Sequence, residues 1–499
     1  MSHYVDLPID IHLLILRYLP PKDIASTRLS CKTVDEVTKT RAVWLDALKR
    51  TCLSYAIPFV TYDFERMSRE ELEYAATAPD RFLHAGRRAM ASPSRTLHPV
   101  GELCRLPLSI QDPFFMRSRD DIVILPGGRF VLAYKGTLLV WDLAAVSDSP
   151  FVVMSDNDEL SPGLKSCGVE LQSLVHCPAV SKIHLVVSAL KYGQDGLPPA
   201  SACVACELDL AVSPPSLSVA GILPDASFQC FAGLGSRIIF SSITQPGLFG
   251  LWDFEQDSAA SWVWERDSRG RLNDPVLVTE RHVLSHDESN NAILVYDLPS
   301  SELAHGRIPA PSHTQVVQTI SLPQATYPLH FKVASYNSSR NSEMIVIEAD
   351  FIPPTDGIHP GEEQSFSYEQ RSYVTRYNAS PKGTPFTMRD TPVIYDHVFD
   401  RLSPKQSDGR VVSVYRRGYP CGEELWVHFS SNEDPAKVQA VCIGPREDCY
   451  FPIPERRTWG MHADYDICPV TGRLCVHRWD LNAIVVHETM PSYVPVERK

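Results

Sequence analysis

Proline is the residue type that most restricts what this chain can fold into. There are 40 prolines among 499 residues, against 25 glycines, and they are spread along the sequence. Because proline lacks an amide hydrogen and its ring clashes with the preceding helical turn, long helices are disfavoured beyond the N-terminus. Hydrophobic residues at 44% and charged residues at 21% are typical of a globular protein and exclude wholesale disorder. The sequence therefore predicts many short strands separated by turns.

The apolar segments and the cysteines indicate a compartment. The longest apolar segment, residues 11–19, is far shorter than the roughly 20 residues of a membrane helix, and His12 and Arg17 interrupt it. The first ten residues are acidic, whereas a signal peptide begins with basic residues. The 13 cysteines follow no disulfide spacing, and their odd number suits free thiols in a reducing compartment. We expect no membrane contact and a cytoplasmic or nuclear location, or both.

Charge is distributed unevenly between the N-terminal fifth and the remainder. Residues 1–100 contain 14 basic and 12 acidic residues, whereas residues 101–499 contain 33 basic and 48 acidic residues. An acidic body disfavours nucleic-acid binding, which depends on neutralising phosphates. It favours basic protein partners.

The first 50 residues have the pattern of a small helical unit. Pro8 stands where a helix can begin without losing a hydrogen bond, and Pro20-Pro21 are expected to end that helix. Further helices are expected from about Lys22 to Leu29, from Lys32 to the Val37 region, and around Trp44. The apolar positions of the first helix recur on one helical face: Leu7, Ile11, Leu14, Ile15, Tyr18 and Leu19.

These residues resemble the F-box family. The elements of that family's pattern appear in order and at its spacing: Leu7-Pro8, Ile15-Leu16, Leu19-Pro20, Asp23-Ile24, Arg28-Leu29, Cys31-Lys32 and Trp44. One position departs from the pattern, since Val34 stands where the family usually has tryptophan. The alternative is a generic three-helix cap whose apolar stripe is simply core, although such a unit does not require two Leu-Pro pairs. The match covers only about a tenth of the chain.

The resemblance implies that the helical unit binds the Skp adaptor of a cullin–RING ubiquitin ligase. An isolated unit of this size cannot bury much surface, so apolar residues left over form an interface. In the family's mode of binding, the residues expected to contact the adaptor are Leu7, Pro8, Ile11, Ile15, Leu16, Leu19, Pro20 and Trp44.

Residues 51–99 are predicted to form a helical linker. Ser68 with Glu71 three residues later forms a capping box and predicts a helix from about Arg69. Pro79 is expected to start another short helix. Residues 91–99 have the composition of a turn-rich connection.

Residues 100–499 contain a weak internal repeat of strand, tight turn and strand. Asp253 and Asp297 are 44 residues apart, within the 40–45 residues of a WD repeat. The region resembles a divergent β-propeller of the WD-repeat kind, with Ser312-His313-Thr314 similar to that family's Gly-His-Thr entry. About seven blades are expected, with six or eight as alternatives, and other β architectures stay open. The expected strand ends lie near residues 142, 209, 253, 297, 377, 428 and 488.

No motif indicates catalysis, a metal or a cofactor. Cys203 and Cys206 lie three positions apart in an expected strand, where they face opposite sides and are best interpreted as buried thiols. His282 and His286 would be about 13 Å apart along a strand, too far for one metal ion. Walker, Gly-x-Ser-x-Gly and kinase motifs are absent from the sequence.

The sequence thus predicts a multidomain protein: an all-α F-box over residues 1–50, a helical linker over 51–99 and an all-β propeller over 100–499. The implied function is that of a non-catalytic substrate-recognition subunit, binding the Skp adaptor, through it a cullin, and a protein substrate. Two alternatives stay open. One is a ligand-binding propeller or propeller enzyme with an incidental helical cap, and the other is an F-box scaffold that acts outside a ligase.

Overall fold

The computed structural model describes residues 7–55, 57–91 and 100–107, and the strands between residues 122 and 490 with some of their turns. For part of these strands, including those between residues 322 and 464, only the backbone is described. The predicted turn-rich connection lies almost entirely outside the described residues. Two further expectations from the sequence also lie outside them: a surface loop at residues 353–366, which are rich in proline, glycine and glutamate, and a solvated hairpin tip of mixed charge around Arg266. None of the described helices is long and apolar enough to cross a membrane.

The N-terminal part is helical, as predicted. Its helices are α1 (Ile9–Leu16), α2 (Pro21–Thr27), α3 (Lys32–Thr38), α4 (Arg41–Ser54), α5 (Arg69–Ala76) and α6 (Ala78–Ala91), with one 3-10 turn at Phe59–Thr61. The boundary predicted at residue 50 falls inside α4, and α6 is longer than the short helix expected after Pro79.

Both Leu-Pro pairs precede a helix. The Pro8 carbonyl accepts hydrogen bonds from the amides of Ile11 and His12, and the Pro20 carbonyl accepts those of Asp23 and Ile24. Proline is well placed here because the first helical amides have no intrahelical acceptor. Pro20-Pro21 therefore begin α2 rather than end α1, which already stops at Leu16.

The predicted capping box at the start of α5 is confirmed. The Glu71 amide donates to Ser68 Oγ at 3.2 Å, and the Ser68 amide donates to Glu71 Oε2 at 2.7 Å. The two bonds satisfy amides that would otherwise lack a partner at the helix start.

The strands of the β region follow the helices. Those of its first half are β1 (Gly101–Pro107), β2 (Ile122–Ile124), β3 (Phe130–Tyr134), β4 (Thr137–Asp142), β5 (Phe151–Ser155), β6 (Glu159–Ser161), β7 (Leu164–Ser166), β8 (Leu174–His176), β9 (Lys182–Lys191), β10 (Ala200–Asp209), β11 (Ser216–Leu223), β12 (Phe228–Leu234), β13 (Arg237–Ser242), β14 (Leu248–Asp253), β15 (Ser258–Val263), β16 (Pro275–Val278), β17 (His282–Asp287) and β18 (Ala292–Asp297). Those of its second half are β19 (Ala304–His305), β20 (Ser312–His313), β21 (Val316–Ser321), β22 (Pro328–Tyr336), β23 (Ser342–Phe351), β24 (Glu369–Asn378), β25 (Phe386–Met388), β26 (Val393–Tyr395), β27 (Asp400–Ser407), β28 (Arg410–Tyr419), β29 (Gly422–Ser431), β30 (Gln439–Ile443), β31 (Tyr465–Ile467), β32 (Leu474–Arg478) and β33 (Ala483–Glu488).

The described strands form seven separate sheets, each built around four antiparallel strands. In six sheets these four come from one stretch of chain: β2–β5, β8–β11, β12–β15, β16–β18 with β21, β22–β25, and β27–β30. In the last sheet, β31–β33 are completed by β1 from the opposite end of the β region. Five more strands, β6, β7, β19, β20 and β26, add to the edges of three sheets, and β20, which contains His313, pairs in parallel with β15.

The first strands of the seven sheets contact one another in succession, and β5 of the first sheet contacts β11 of the sheet that contains β8. β2 contacts β31, β31 contacts β27, β27 contacts β22, β22 contacts β16, β16 contacts β12, and β12 contacts β8. Small antiparallel sheets arranged in this way form a propeller-like body, in which radial repetition leaves only short sheet edges. The predicted fold class is confirmed, whereas the count of about seven blades stays a prediction.

The predicted strand ends coincide with one kind of position in these sheets. The third strands of the seven sheets end at Asp142, Asp209, Asp253, Asp297, Asn378, Ser431 and Glu488. Each expected end lies at, or a few residues before, one of these positions. The weak repeat in the sequence therefore marks the end of the third strand in each sheet.

Candidate partner-binding surface

Helix α1 has one side in the core and one side exposed. His12 and Leu16 are buried, and Leu13 packs against the core from a partly buried position. The opposite side carries Ile11 and Leu14, 37% and 46% exposed, and Tyr18 continues it just beyond the helix at 76%, while Ile9 is 63% exposed at the helix start. Contiguous apolar exposure of this kind on a short helix is typical of an interaction surface.

The residues predicted to contact an adaptor occupy three kinds of environment. Pro8, Ile11 and Pro20 are exposed, while Leu7, Ile15 and Leu19 are half-buried. Leu16 and Trp44 lie in the core, 1% and 0% exposed, so a partner of the folded chain does not reach them. The periodic stripe lies on the face of α1 that is exposed or half-buried, whereas Leu16 lies on the opposite face, with His12 and Leu13. Val34, the departure from the family pattern, is fully buried.

A polar network holds the end of α1 against α4. Arg17 Nε donates to Asp46 Oδ2 at 2.8 Å, and Arg50 donates to the carbonyl oxygen of Arg17. The second bond satisfies a carbonyl at the C-terminal end of α1, where intrahelical donors are missing. Burial lowers the pKa of Arg50 from its ordinary value, and the nearby Asp46 carboxylate opposes that shift. These contacts fix the direction in which the exposed side of α1 points.

Arg28 joins the F-box-like helices to the helix that follows them. Its guanidinium forms two hydrogen bonds of 2.6 Å with the Glu73 carboxylate on α5 and donates to Thr38 Oγ1 at 3.0 Å. It also lies over the Trp44 ring, 5.0 Å from the ring centroid. Paired planar hydrogen bonds of this kind are among the stronger polar contacts in proteins. Arg28 therefore ties the C-terminal end of α2 to α3, α4 and α5.

The two cysteines three residues apart are buried, as predicted. Cys206 packs with Leu185 and Leu208 on one side of β10, and Cys203 packs with Phe240 and Trp252 on the other. Burial raises the pKa of the Cys206 thiol to about 12, which keeps it protonated at neutral pH.

One histidine of the predicted pair has an acidic neighbour in the structure. His282 Nε2 lies 3.2 Å from Asp297 Oδ1 on the neighbouring strand, while the side chain of His286 lies outside the described part of the chain. Within the described residues, no group of three or more His, Cys, Asp or Glu side chains is placed to hold a metal ion.

Sequence reasoning missed a recurrent acid–base pair. A basic residue at the start of the second strand pairs with the acidic residue that ends the third strand in four sheets: Arg129–Asp142, Arg237–Asp253, His282–Asp297 and Arg473–Glu488. Its signal is present in the sequence, since the basic partner precedes each acidic strand end by about the length of one hairpin.

Comparisons with known proteins identify the N-terminal unit. The model of the F-box domain matches residues 5–42. Among curated proteins, none has a sequence that matches this chain.

Several solved structures resemble the chain weakly. Raptor of Chaetomium thermophilum is 11% identical, with 97% of this chain and 39% of that chain covered, at a TM-score of 0.34. The β-propeller domain of Nup133 from Vanderwaltozyma polyspora is 11% identical, with 77% and 97% covered, at 0.31. Prolyl oligopeptidase B from Galerina marginata is 10% identical, with 64% and 49% covered, at 0.24. The chain thus spans less than two thirds of the length of Raptor and of the peptidase, and at these TM-scores we draw no functional conclusion from the likenesses.

The family match covers the same helices whose Leu-Pro pairs, exposed α1 side and Arg28 network are described above. The sheets that follow form a ring of antiparallel units closed by β1 and β33. This chain carries an F-box domain at residues 5–42, followed by a propeller-like β region.

Proposed function

We propose that this protein is the substrate-recognition subunit of an SCF-type cullin–RING ubiquitin ligase. In this role the F-box domain binds the Skp adaptor and through it a cullin, and the propeller-like region recruits a protein substrate. Ubiquitin transfer belongs to the partner enzymes, and this chain contributes no catalytic residue. We expect it to act in the cytoplasm, the nucleus or both.

One observation carries the proposal: the F-box match coincides with an exposed apolar side on α1. Ile11, Leu14 and Tyr18 are exposed on the face of α1 opposite the core and on the turn that follows the helix. Burying such side chains in an interface contributes roughly 25 cal/mol for each Å² of apolar surface removed from water. A partner that covers this side of α1 therefore gains binding energy without any rearrangement of the helical core.

The exposed position of these side chains allows a test that leaves the fold intact. In the full-length chain, Ile11→Asp with Leu14→Asp places two charges in the proposed interface. Desolvating them on binding is unfavourable, and affinity for the Skp adaptor is expected to fall by about 10²–10³-fold. The matched control is Leu103→Asp, since Leu103 is 38% exposed but lies on β1.

Adaptor binding is measured by calorimetry, and circular dichroism checks that each variant keeps the wild-type melting temperature. Equal affinity for the wild type and the double variant would contradict the proposed contact. Addition of a cullin then separates ligase assembly from a scaffold role. Recovery of a ternary complex supports the ligase, whereas adaptor binding without cullin supports a scaffold that acts outside a ligase.

A further inference from the structure

The ring of sheets is closed by strand pairing between the two ends of the β region. β1 pairs with β33 from Gly101 opposite Glu488 to Pro107 opposite Ala483. On the inner side, β2 of the first sheet contacts β31 of the last sheet. We call the β1–β33 pairing together with this contact between the first and last sheets the seam.

The helices and the segment between α4 and α5 pack directly on the turns of the seam. Gly127, in the β2–β3 turn, has a φ of +91°, and a Cβ there would lie 2.6 Å from Thr61 Cγ2. Gly472, in the turn before β32, has a φ of +69°, and a Cβ there would lie 2.5 Å from the Phe82 ring of α6. Both positions need glycine, for the left-handed backbone and for the close approach of the helical part.

Two arginines connect the helical part, the first sheet (β2–β5) and the last sheet (β31–β33 with β1). Arg129 Nη1 donates to the Val60 carbonyl oxygen at 2.6 Å, which joins the first sheet to the segment between α4 and α5. Arg473 Nη1 donates to the Gly128 carbonyl oxygen at 2.7 Å, which joins the last sheet to the first. Each arginine also pairs with the acidic end of the third strand of its own sheet, Asp142 or Glu488.

The apolar core is continuous across these contacts. One cluster of buried residues takes members from the F-box helices, from α5, from the first sheet and from the last sheet: among them are Ile24, Trp44, Leu72, Val131, Trp141 and Val486. α6 also contacts β30 of the neighbouring sheet. A shared core of this kind couples the unfolding of its parts, because opening one part exposes apolar surface of the others.

We propose that the helical part, residues 9–91, is a clamp on the seam, and that it unfolds together with the first and last sheets as one cooperative body. The helical part spans the seam from the first sheet to the last and shares its apolar core. The F-box domain is consequently held in a set orientation on the ring. This inference concerns folding and does not depend on which partner binds α1.

Hydrogen exchange of the full-length chain tests the clamp with two phenylalanines of equal burial. Phe82 and Phe240 are each 1% exposed, and Phe240 lies in the sheet of β12–β15. Truncation to alanine leaves a cavity at either site. Phe82→Ala is expected to lower amide protection by about 100-fold both in α1–α4 and in β31–β33, while β13–β15 keep theirs. Phe240→Ala is expected to lower protection around β13 and β14 and to spare α1–α4.

A second pair of variants tests the clamp independently, in case Phe82→Ala fails to fold. Arg129 precedes the second strand of its sheet and Arg237 begins that of its own, and each pairs with the acid that ends the third strand. Arg129→Gln removes the bond to the Val60 carbonyl and is expected to lower protection in α4, α5 and the last sheet by about tenfold, whereas Arg237→Gln is expected to act within its own sheet. Loss of protection confined to α5 and α6 in Phe82→Ala, or equal patterns for the two arginine variants, would overturn the proposal.

Discussion

Arg129 holds Asp142 through two hydrogen bonds, from Nε to Oδ1 at 2.7 Å and from Nη2 to Oδ2 at 2.6 Å. The pair joins the start of the second strand of the first sheet to the end of its third strand, and Asp142 Oδ1 also accepts the amide of Ala144 at 3.0 Å. Arg473 and Glu488 repeat the relationship in the last sheet. Asp142 thus joins the two strands at the open end of the β3–β4 hairpin. It also positions the arginine that reaches out of the sheet.

Asp142→Asn is expected to destabilise the protein by about 1–3 kcal/mol, because it removes one charge from a partly buried, doubly hydrogen-bonded pair. Asp297→Asn is the matched control. It occupies the same strand position, but its side chain is 67% exposed, so a change within about 0.5 kcal/mol is expected. Urea denaturation measures both. Equal destabilisation by the two variants would show that the bidentate geometry contributes nothing specific.

Ser68→Ala is expected to cost about 1 kcal/mol, because the Glu71 amide loses its acceptor at the start of α5. α5 carries Leu72 into the core and Glu73 to Arg28, so the loss is expected in the global transition. Thermal denaturation of the full chain measures it. Ser26→Ala, which removes only an exposed bond to the Lys22 carbonyl, serves as the control and is expected to have an effect below about 0.5 kcal/mol. A melting temperature unchanged by Ser68→Ala would contradict the capping role.

The buried thiols of Cys52 and Cys206 are expected to resist alkylation in the native protein at pH 8, while Cys31 reacts. Burial raises the pKa of both thiols from an ordinary value of 9.0 to about 12, and only the thiolate is nucleophilic. Cys31, partly exposed beside the start of α3, is accessible to reagent. Mass spectrometry after iodoacetamide treatment, with and without urea, checks the order of labelling. Labelling of Cys52 before Cys31 would contradict it.

The same shifts predict that stability falls in alkali. Between pH 9 and pH 12 the unfolded chain has released the thiol protons that the folded chain still holds, so unfolding becomes more favourable as pH rises. The contribution of the two thiols is fully present below pH 9. Urea denaturation at pH 8 and at pH 10, in the wild type and in Cys52→Ala with Cys206→Ala, isolates this contribution. The double variant is expected to lose less stability between the two pH values than the wild type, and an equal loss would contradict the assignment.

Deletion of residues 470–499 is expected to abolish the cooperative folding of the β region. The deletion removes β32 and β33 and leaves β1 without the strand that it pairs with. Unpaired sheet edges promote association between molecules. Size-exclusion chromatography and circular dichroism are the measurements. A truncated protein that stays monomeric and melts in one transition would contradict the ring closure.

Features that depend on near neighbours in sequence were predictable. The Ser68–Glu71 capping box, the helices after each Leu-Pro pair and the opposite facing of Cys203 and Cys206 follow from hydrogen bonding and side-chain direction over a few residues. The third-strand ends were predictable because an acidic residue follows an apolar run in several sheets, although the pairing of that acid with a basic residue on the next strand was missed.

The features that the sequence left open depend on contacts between distant parts of the chain. The apolar stripe on α1 showed that a helix forms, but only the packing of α2, α3 and α4 decided that the stripe, with Leu14, faces outward and that the opposite face, with Leu16, lies in the core. The sequence alone is compatible with a separate helical domain. In the structure, the contacts of Phe82 with Gly472 and of Arg129 with Val60 pack the helical part on the seam. The sequence by itself determined the F-box helices and the strand–turn–strand repeat, because hydrogen bonding and hydrophobic periodicity act locally. The tertiary structure decided which apolar surface remained for a partner and where the ring closed, because burial is settled only when distant segments meet.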